Sequence, residues 1–142
     1  MNLAQFIKRL ETVALAQPSV RTVVENDVFR LNAMPSARYG VFAFTQGQHR
    51  ANMDTEVITY VFSIFYVDRL TEDASNEIEV QSVGITTLTN IIHTLAEEFG
   101  VAPWTINTFN QRFADLCAGA YATVSVDVPF DYTCSDDYAG ND

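Results

Sequence analysis

Apolar side chains recur at spacings of three and four at the beginning of the chain. Leu3, Phe6, Ile7, Leu10 and Val13 fall on one face of a helix with 3.6 residues per turn. Pro18 follows, and its ring cannot continue a helix interior. The pattern therefore predicts a short amphipathic helix that ends before Pro18 and packs on another element through its apolar face.

Between residues 20 and 48 the apolar clusters are shorter and richer in β-branched and aromatic residues. The stretches TVVEND, DVFRLN and RYGVFAFTQGQ are separated by residues that typically interrupt strands, such as Asn-Asp, Met-Pro-Ser and Gly. We expect two or three short strands here. The stretch TQGQHRANMD, residues 45–54, is polar and contains a glycine, so it predicts a mobile hairpin loop.

The strongest strand pattern covers Val57 to Val67. One side of this strand carries Ile58, Tyr60, Phe62, Ile64 and Tyr66, and the other carries Val57, Thr59, Val61, Ser63, Phe65 and Val67. A strand with one wet face alternates apolar and polar residues, whereas both faces here are largely apolar. We expect a central strand that is either covered on both faces or meets another subunit with its second face.

A polar corner, DRLTEDASNE, follows the long strand at residues 68–77. Asp73 or Ser75 is expected to be the N-cap of the next helix. Glu77 comes early in the first turn, where the helix dipole favours a carboxylate. Asp68 can accept hydrogen bonds from backbone amides of the turn, and Arg69 projects to the opposite face.

A long helix of about 23 residues is predicted from this corner to Gly100, which has the type and place of a C′ glycine. Gly84 inside it costs about 1 kcal/mol relative to Ala, and indicates either a close backbone approach or a tolerated glycine. One stripe of this helix is expected to face the sheet: Ile78, Ile85, Leu88, Ile92, Leu95 and Phe99.

Two further strands are predicted in WTINTFNQRF and AYATVSVDV. The second alternates cleanly, with Ala120, Ala122, Val124, Val126 and Val128 inward. The order of elements predicts a single α+β domain over residues 1–130, an antiparallel sheet with the N-terminal helix and the long helix on one face. Residues 131–142 are acidic and lack basic residues, so a flexible extension is expected.

Composition narrows the possible functions. The chain has 142 residues, a formal charge of −10 and only 8 Lys and Arg, which argues against an ordinary nucleic-acid binder. An acidic wall would instead repel a passing polyanion. Without a signal peptide or an apolar run of about 20 residues, a soluble protein is expected. Cys117 and Cys134 do not make a disulfide framework, which favours a reducing compartment.

Candidate chemistry is sparse. His49 and His93 have no companion at a metal-ligand spacing, and no nucleophile elbow or phosphate-binding loop is present. The paired carboxylates Asp54 with Glu56 and Glu97 with Glu98 are interpreted as solvated charges. We therefore expect no enzyme activity, cofactor or metal.

Several segments resemble one group of proteins. These are VVENDVFRLN, the strand ending FYVDRL, the corner ASNEIEVQS and the helix TTLTNIIHTL. In this order, after an N-terminal amphipathic helix, they resemble the small neck and tail-completion proteins of tailed bacteriophages, the tail-terminator-like and head-to-tail connector group. The resemblance covers roughly residues 2–130 and carries over no catalytic residue.

The resemblance implies a structural virion protein that is assembled in the host cytoplasm. Its subunits would form a sixfold or twelvefold ring in the phage neck, joining the head portal to the tail, with portal-adaptor, neck or tail proteins as neighbours. Genomic DNA would pass through without specific binding. Candidate interface residues are Gln48, His49 and Arg50 in the polar loop, and Asp68, Arg69 and Glu72 at the corner.

The alternative is a small ligand-binding or regulatory α+β domain that acts as a monomer or dimer. It would need an enclosed apolar pocket with a few converging polar groups. Trp104 and Tyr121 are the residues around which such a pocket is expected.

Overall fold

The helices and strands follow the predicted order. The computed structural model describes residues 1–25, 40–71, 73, 75–112 and 116–130. Within these ranges the elements are α1 (Leu3–Leu15), β1 (Thr22–Glu25), β2 (Val41–Gln46), β3 (Arg50–Asn52), β4 (Val57–Arg69), α2 (Glu77–Glu98), β5 (Gly100–Val101), β6 (Ile106–Arg112) and β7 (Leu116–Pro129). The strand expected in DVFRLN and the extension 131–142 lie outside the described residues.

The strands form one sheet. Its order is β1-β2-β4-β7-β5, while β3 pairs with β4 and β6 pairs with β7. β1 runs parallel to β2, and the other pairs are antiparallel. The longest ladder joins all 13 residues of β4 to β7, which places β4 at the centre of the sheet, as its sequence predicts. The predicted α+β class is confirmed.

Both helices pack on the same face of the sheet, called here the helix face. Asn2 and Gln5 form a reciprocal capping box that starts α1. The Phe6 ring lies 5.3 Å from the ring of Tyr60 and 5.4 Å from that of Phe62. From α2, the fully buried Leu88, Ile91, Ile92 and Leu95 complete this core. Neither helix of the described part of the chain has the length and apolar character needed to cross a membrane.

The two sides of β4 differ in burial. On the helix face Tyr60, Phe62, Ile64 and Tyr66 are buried. On the opposite side, called here the outer face, most side chains from Val57 to Phe65 are half-buried. The second face of this strand is therefore partly accessible, and the described residues do not cover it completely.

The expected N-cap of α2 was wrong. Asn76 occupies that position, and Asp73 belongs to the preceding turn. Asp73 Oδ1 accepts hydrogen bonds from the Thr71 hydroxyl at 2.8 Å and the Ser75 amide at 3.1 Å. Asn76 Oδ1 accepts from the Thr71 amide at 2.9 Å. The side chains of this corner therefore form hydrogen bonds within the turn. Short polar side chains of this kind bind nearby backbone groups outside helices.

The expected stripe of α2 was wrong at its first two positions. Ile78 is 79% exposed and Ile85 is 40% exposed, whereas Val80, Gly84 and Thr87 are buried. A strict seven-residue spacing drifts by about 20° per heptad on a 3.6-residue helix. The drift carries Ile78 and Ile85 to the flank of α2, away from the centre of the sheet.

Two local expectations also need correction. The polar loop is largely ordered into the sheet, because residues 50–52 form β3 and only residues 53–56 form the turn. Gly100 follows the end of α2 as predicted, but Phe99 before it is extended and Gly100 begins β5 opposite Asp127. The chain therefore enters the sheet at Gly100, directly after α2.

Candidate interaction surfaces

The His49 ring supplies a hydrogen-bond acceptor where the strand pairing along β4 is interrupted between β2 and β3. Gln46 pairs with Phe62 and Arg50 with Thr59, so three residues between β2 and β3 oppose two residues of β4. This is a bulge, and the Gly47 amide donates to the Val61 carbonyl at 2.7 Å. The Val61 amide donates to Nδ1 of the His49 ring at 3.0 Å. An imidazole nitrogen thus replaces the backbone acceptor that the bulge removes.

The same ring is held on its other sides. Nε2 of His49 lies 3.0 Å from Oε1 of Gln46. Because Nδ1 accepts, Nε2 carries the proton and donates to the amide oxygen. The ring centroid lies 5.5 Å from Tyr60 and 5.6 Å from Phe62. His49 therefore has a structural role within the chain, while its neighbours Gln48 and Arg50 are exposed.

Asp68 has the local role expected from the sequence. Its Oδ1 accepts a hydrogen bond from the Arg69 amide at 2.8 Å, and Oδ2 accepts from the Tyr66 hydroxyl at 3.4 Å. Arg69 is exposed at the end of β4. Glu72, the third candidate of this group, lies outside the described residues.

Tyr66 joins this corner to the segment after α1 and, through Ser19, to α2. Its hydroxyl also lies 3.4 Å from the Ser19 carbonyl, and the Ser19 hydroxyl lies 2.5 Å from that of Thr87 on α2. Burial, and secondarily the negative charge and hydrogen bond of Asp68, raise the pKa of Tyr66 to about 12. The phenol is therefore held in its neutral form beneath α2.

The two groups of candidate residues do not form one site. Arg50 is level with Thr59, and Arg69 lies at the other end of β4. At about 3.3 Å per residue, these two positions are separated by roughly 30 Å along the strand. Any contacts that they make with other molecules are separate contacts.

The outer face carries an aromatic cluster that the sequence reasoning missed. The rings of Phe65 and Tyr121 stack with centroids 5.8 Å apart, and Phe109 lies 6.2 Å from Tyr121. Tyr121 is 37% exposed. The alternation of β4 and β7 could have placed two of these rings on one face, but only the pairing of β6 with β7 brings Phe109 beside them.

Beyond the rings, the outer face has a buried apolar part and a polar part. The buried part is formed by Val24, Val41, Ala43, Val67 and Cys117, against which Phe65 and Phe109 pack. By strand register Arg50 and Arg69 also belong to this face. The Thr59 hydroxyl donates to Asp127 Oδ1 at 2.6 Å, and the Ser63 and Thr123 hydroxyls lie 3.4 Å apart. By strand register, Asp127 supplies the sole carboxylate of this face among the described residues. The outer face therefore combines aromatic rings and hydroxyls in a chain of net charge −10.

The pocket expected around Trp104 and Tyr121 does not form. Trp104 packs against the helix-face core and lines a cleft of about 330 Å³ with Ile92, His93 and Ala96 of α2. Tyr121 lies on the opposite face of the sheet. The prediction was wrong because the sheet passes between the two residues.

The described residues do not bring three or more His, Cys, Asp or Glu side chains together in a group that could hold a metal ion. Comparison of the sequence with known protein families and with curated proteins gives no match. The function is therefore inferred from the residues and from their arrangement in the fold.

Proposed function

We propose that this protein is a structural virion subunit of a tailed bacteriophage. Its copies form a ring of six or twelve in the neck, which joins the portal to the tail and lines the DNA conduit. The segments that resemble tail-terminator-like proteins support the proposal. So does the α+β arrangement with both helices on one face of the sheet.

The observation that carries the proposal is the composition of the outer face. Protein interfaces are enriched in aromatic residues and Arg, and depleted of Lys, Glu and Asp. Phe65 and Tyr121 supply partly exposed rings on the outer face. Arg50 and Arg69 lie on it by register, and Asp127 is the single acidic side chain among its described residues. In the proposed assembly this face packs against a neighbouring neck or tail protein.

The other exposed acidic residues suit the wall of a DNA conduit. Six of the eight exposed carboxylates of the described residues lie at the turns and at the ends of α2: Asp54, Glu56, Asp73, Glu79, Glu97 and Glu98. The other two are Glu25 on β1 and Asp127 on the outer face. A negative wall repels the phosphates of passing DNA and prevents adhesion. A nucleic-acid-binding surface would require clustered Lys and Arg instead.

The first test is the native mass of the purified protein across a concentration series, with negative-stain images of the large species. We expect closed rings of six or twelve subunits. A particle that stays monomeric at every concentration, and that does not co-purify with portal or tail proteins, would contradict the proposal.

The outer face is tested separately by placing a charge on it. Tyr121→Asp should leave ring formation intact but weaken co-sedimentation with neighbouring neck or tail proteins by more than about tenfold, because it buries an unpaired carboxylate. Thr86→Asp is the matched control, since Thr86 is exposed on α2. Equal binding by both variants would remove the outer face from the contact.

A further inference from the structure

One flank of α2 lies over β6. Ile78 and Ile85 lie three residues before and four residues after Gln81, so the three side chains share one flank of the helix. The Gln81 side chain donates to the Phe109 carbonyl of β6 at 3.3 Å, which places this flank above β6. Ile78 and Ile85 are 79% and 40% exposed. Two large apolar side chains therefore project beside the β6 edge.

The edge of β6 that faces away from β7 can pair with another strand. In the described part of the chain, β6 pairs with β7 alone. Its side chains from Asn107 to Asn110 are exposed or half-buried. An edge strand of this kind is a template for another strand. A strand added there would lie beneath Ile78 and Ile85 and bury them.

Among the described strands β1 lies at the opposite edge of the same sheet, and it fits that position in a second copy. The register is continuous across the sheet, and the following residues lie level with one another: Thr22, Val41, Val67, Gly119 and Phe109. At the other end of β1 a second level joins Glu25, Phe44, Ile64, Ala122 and Ile106. The two edges therefore occupy the same height in the sheet.

Their directions also match. β1 is parallel to β2, and each later step across the sheet to β4, β7 and β6 is antiparallel, so β6 runs opposite to β1. Rotation about an axis along the strands preserves strand direction. A neighbouring copy related by such a rotation would present β1 antiparallel to β6. Val23, which packs with the helix-face core, would then lie on the side of α2.

The charges at the junction are complementary. Arg21 is exposed immediately before β1. In the antiparallel arrangement it would approach Asn110, the residue after Phe109. The Asn110 side chain donates to a Glu77 carboxylate oxygen at the start of α2. The arginine of one copy would therefore meet an acidic group of the next.

We propose that the β6 edge and the α2 flank formed by Ile78 and Ile85 take β1 of a second copy as an added antiparallel strand. The inference rests on the proposed ring function and identifies the lateral contact between ring subunits. The contact is heterologous, because two different edges meet, and repeated heterologous contacts close into a ring when the rotation permits.

The first experiment compares assembly of two charge-matched double variants by native mass across a concentration series. Ile78→Asp with Ile85→Asp should raise the concentration needed for assembly by more than about tenfold, because two apolar side chains lose their burial. Met53→Asp with Val83→Asp also replaces exposed apolar residues, at 75% and 37% exposure, and should assemble like the wild type. Circular dichroism of the monomers checks that both variants fold.

A charge exchange tests which edge is the partner. Arg21→Glu should raise the concentration needed for assembly by about two- to fivefold, the range of an exposed ion pair. Adding Glu77→Arg to the same chain should restore assembly. Adding Glu56→Arg at the distant turn should not, and equal rescue by both would show a net-charge effect and overturn the β1 assignment.

The outcomes separate the inference from the proposed function. Wild-type rings with equal assembly of the isoleucine variant would overturn the edge contact and leave the ring function standing. Failure of the wild type to assemble in any condition would remove the ring function, and the contact with it. Loss of assembly confined to the isoleucine variant supports the contact.

Discussion

Single side chains complete backbone interactions that the strands cannot make for themselves. At the bulge between β2 and β3, the His49 ring accepts the Val61 amide hydrogen. At the other end of β4, Asp68 accepts from the Arg69 amide and the Tyr66 hydroxyl. Unpaired buried amides are costly, so these residues hold the ends of the sheet in place.

Replacing His49 should loosen one end of the sheet. His49→Ala removes the acceptor of the Val61 amide and should lower the free energy of unfolding by about 1–2 kcal/mol. Hydrogen exchange should be faster at Val61 and along β3. The exposed neighbour gives the control, since Gln48→Ala should change neither quantity. Unchanged exchange at Val61 in His49→Ala would show that the ring is not its acceptor.

The raised pKa of Tyr66 predicts that the protein loses stability at alkaline pH. Its pKa is raised to about 12 from 10.0, so the folded state holds the phenolic proton more tightly than the unfolded chain. The stability that this contributes is present below about pH 10 and is lost as the pH rises toward 12. Urea unfolding at several pH values should show a flatter alkaline decline for Tyr66→Phe than for wild type. The exposed tyrosine variant Tyr121→Phe should decline as steeply as wild type.

At the scale of elements, the close approach of α2 to β7 organises the core. A Cβ on Gly84 would lie 3.1 Å from Ala120 Cβ and 3.2 Å from the Ala120 nitrogen. Of the two explanations left open by the sequence, the close backbone approach is therefore correct. Small residues on both elements let the helix sit low over the centre of the sheet, so that its flank reaches β6.

Gly84→Ala tests this approach. Helix propensity alone would stabilise the variant by about 1 kcal/mol. The new methyl group meets a central strand that cannot shift freely, and overpacking of this kind costs about 1–3 kcal/mol. We expect a net loss of stability, measured by urea unfolding. Ser82→Ala on the exposed side of α2 should be neutral or stabilising, and a stabilised Gly84→Ala would contradict the close packing.

At the scale of the whole molecule, charge is distributed unevenly. The net charge is −10, yet the outer face of the described sheet has one carboxylate, and the β6 strand has none. Surfaces with few carboxylates are where subunits of equal negative charge can approach at the lowest Coulomb cost. The acidic surfaces are left for solvent and, in the proposed ring, for the conduit.

Assembly should therefore respond to salt. Raising the salt from about 20 to 200 mM screens the repulsion between acidic subunits, so rings should form at a lower protein concentration. Salt also weakens the proposed pair of Arg21 and Glu77. We expect this loss to be smaller than the gain, because the repulsion acts between whole subunits and the pair is a single contact. Native mass in sodium chloride and in sodium acetate of equal ionic strength checks the effect. Assembly that weakens with salt would show that attractive pairs dominate.

The sequence alone determined the type and order of most elements and the buried sides of α1 and β7. The 3.6-residue period of α1 and the twofold alternation of β7 identify which side chains are buried, because each period is set by the backbone itself. The type and order of elements then indicate an α+β fold. The local role of Asp68 was also predictable, since its partner is the next residue.

The tertiary structure decided what depends on residues far apart in the chain. Ile78 and Ile85 belong to the apolar pattern of α2, but their exposure depends on where the sheet ends. The aromatic cluster depends on β6 lying beside β7, and the bulge at His49 depends on the register of two strands with β4. Helical period and alternation carry no information about such pairings, because these are fixed only when the strands assemble into one sheet.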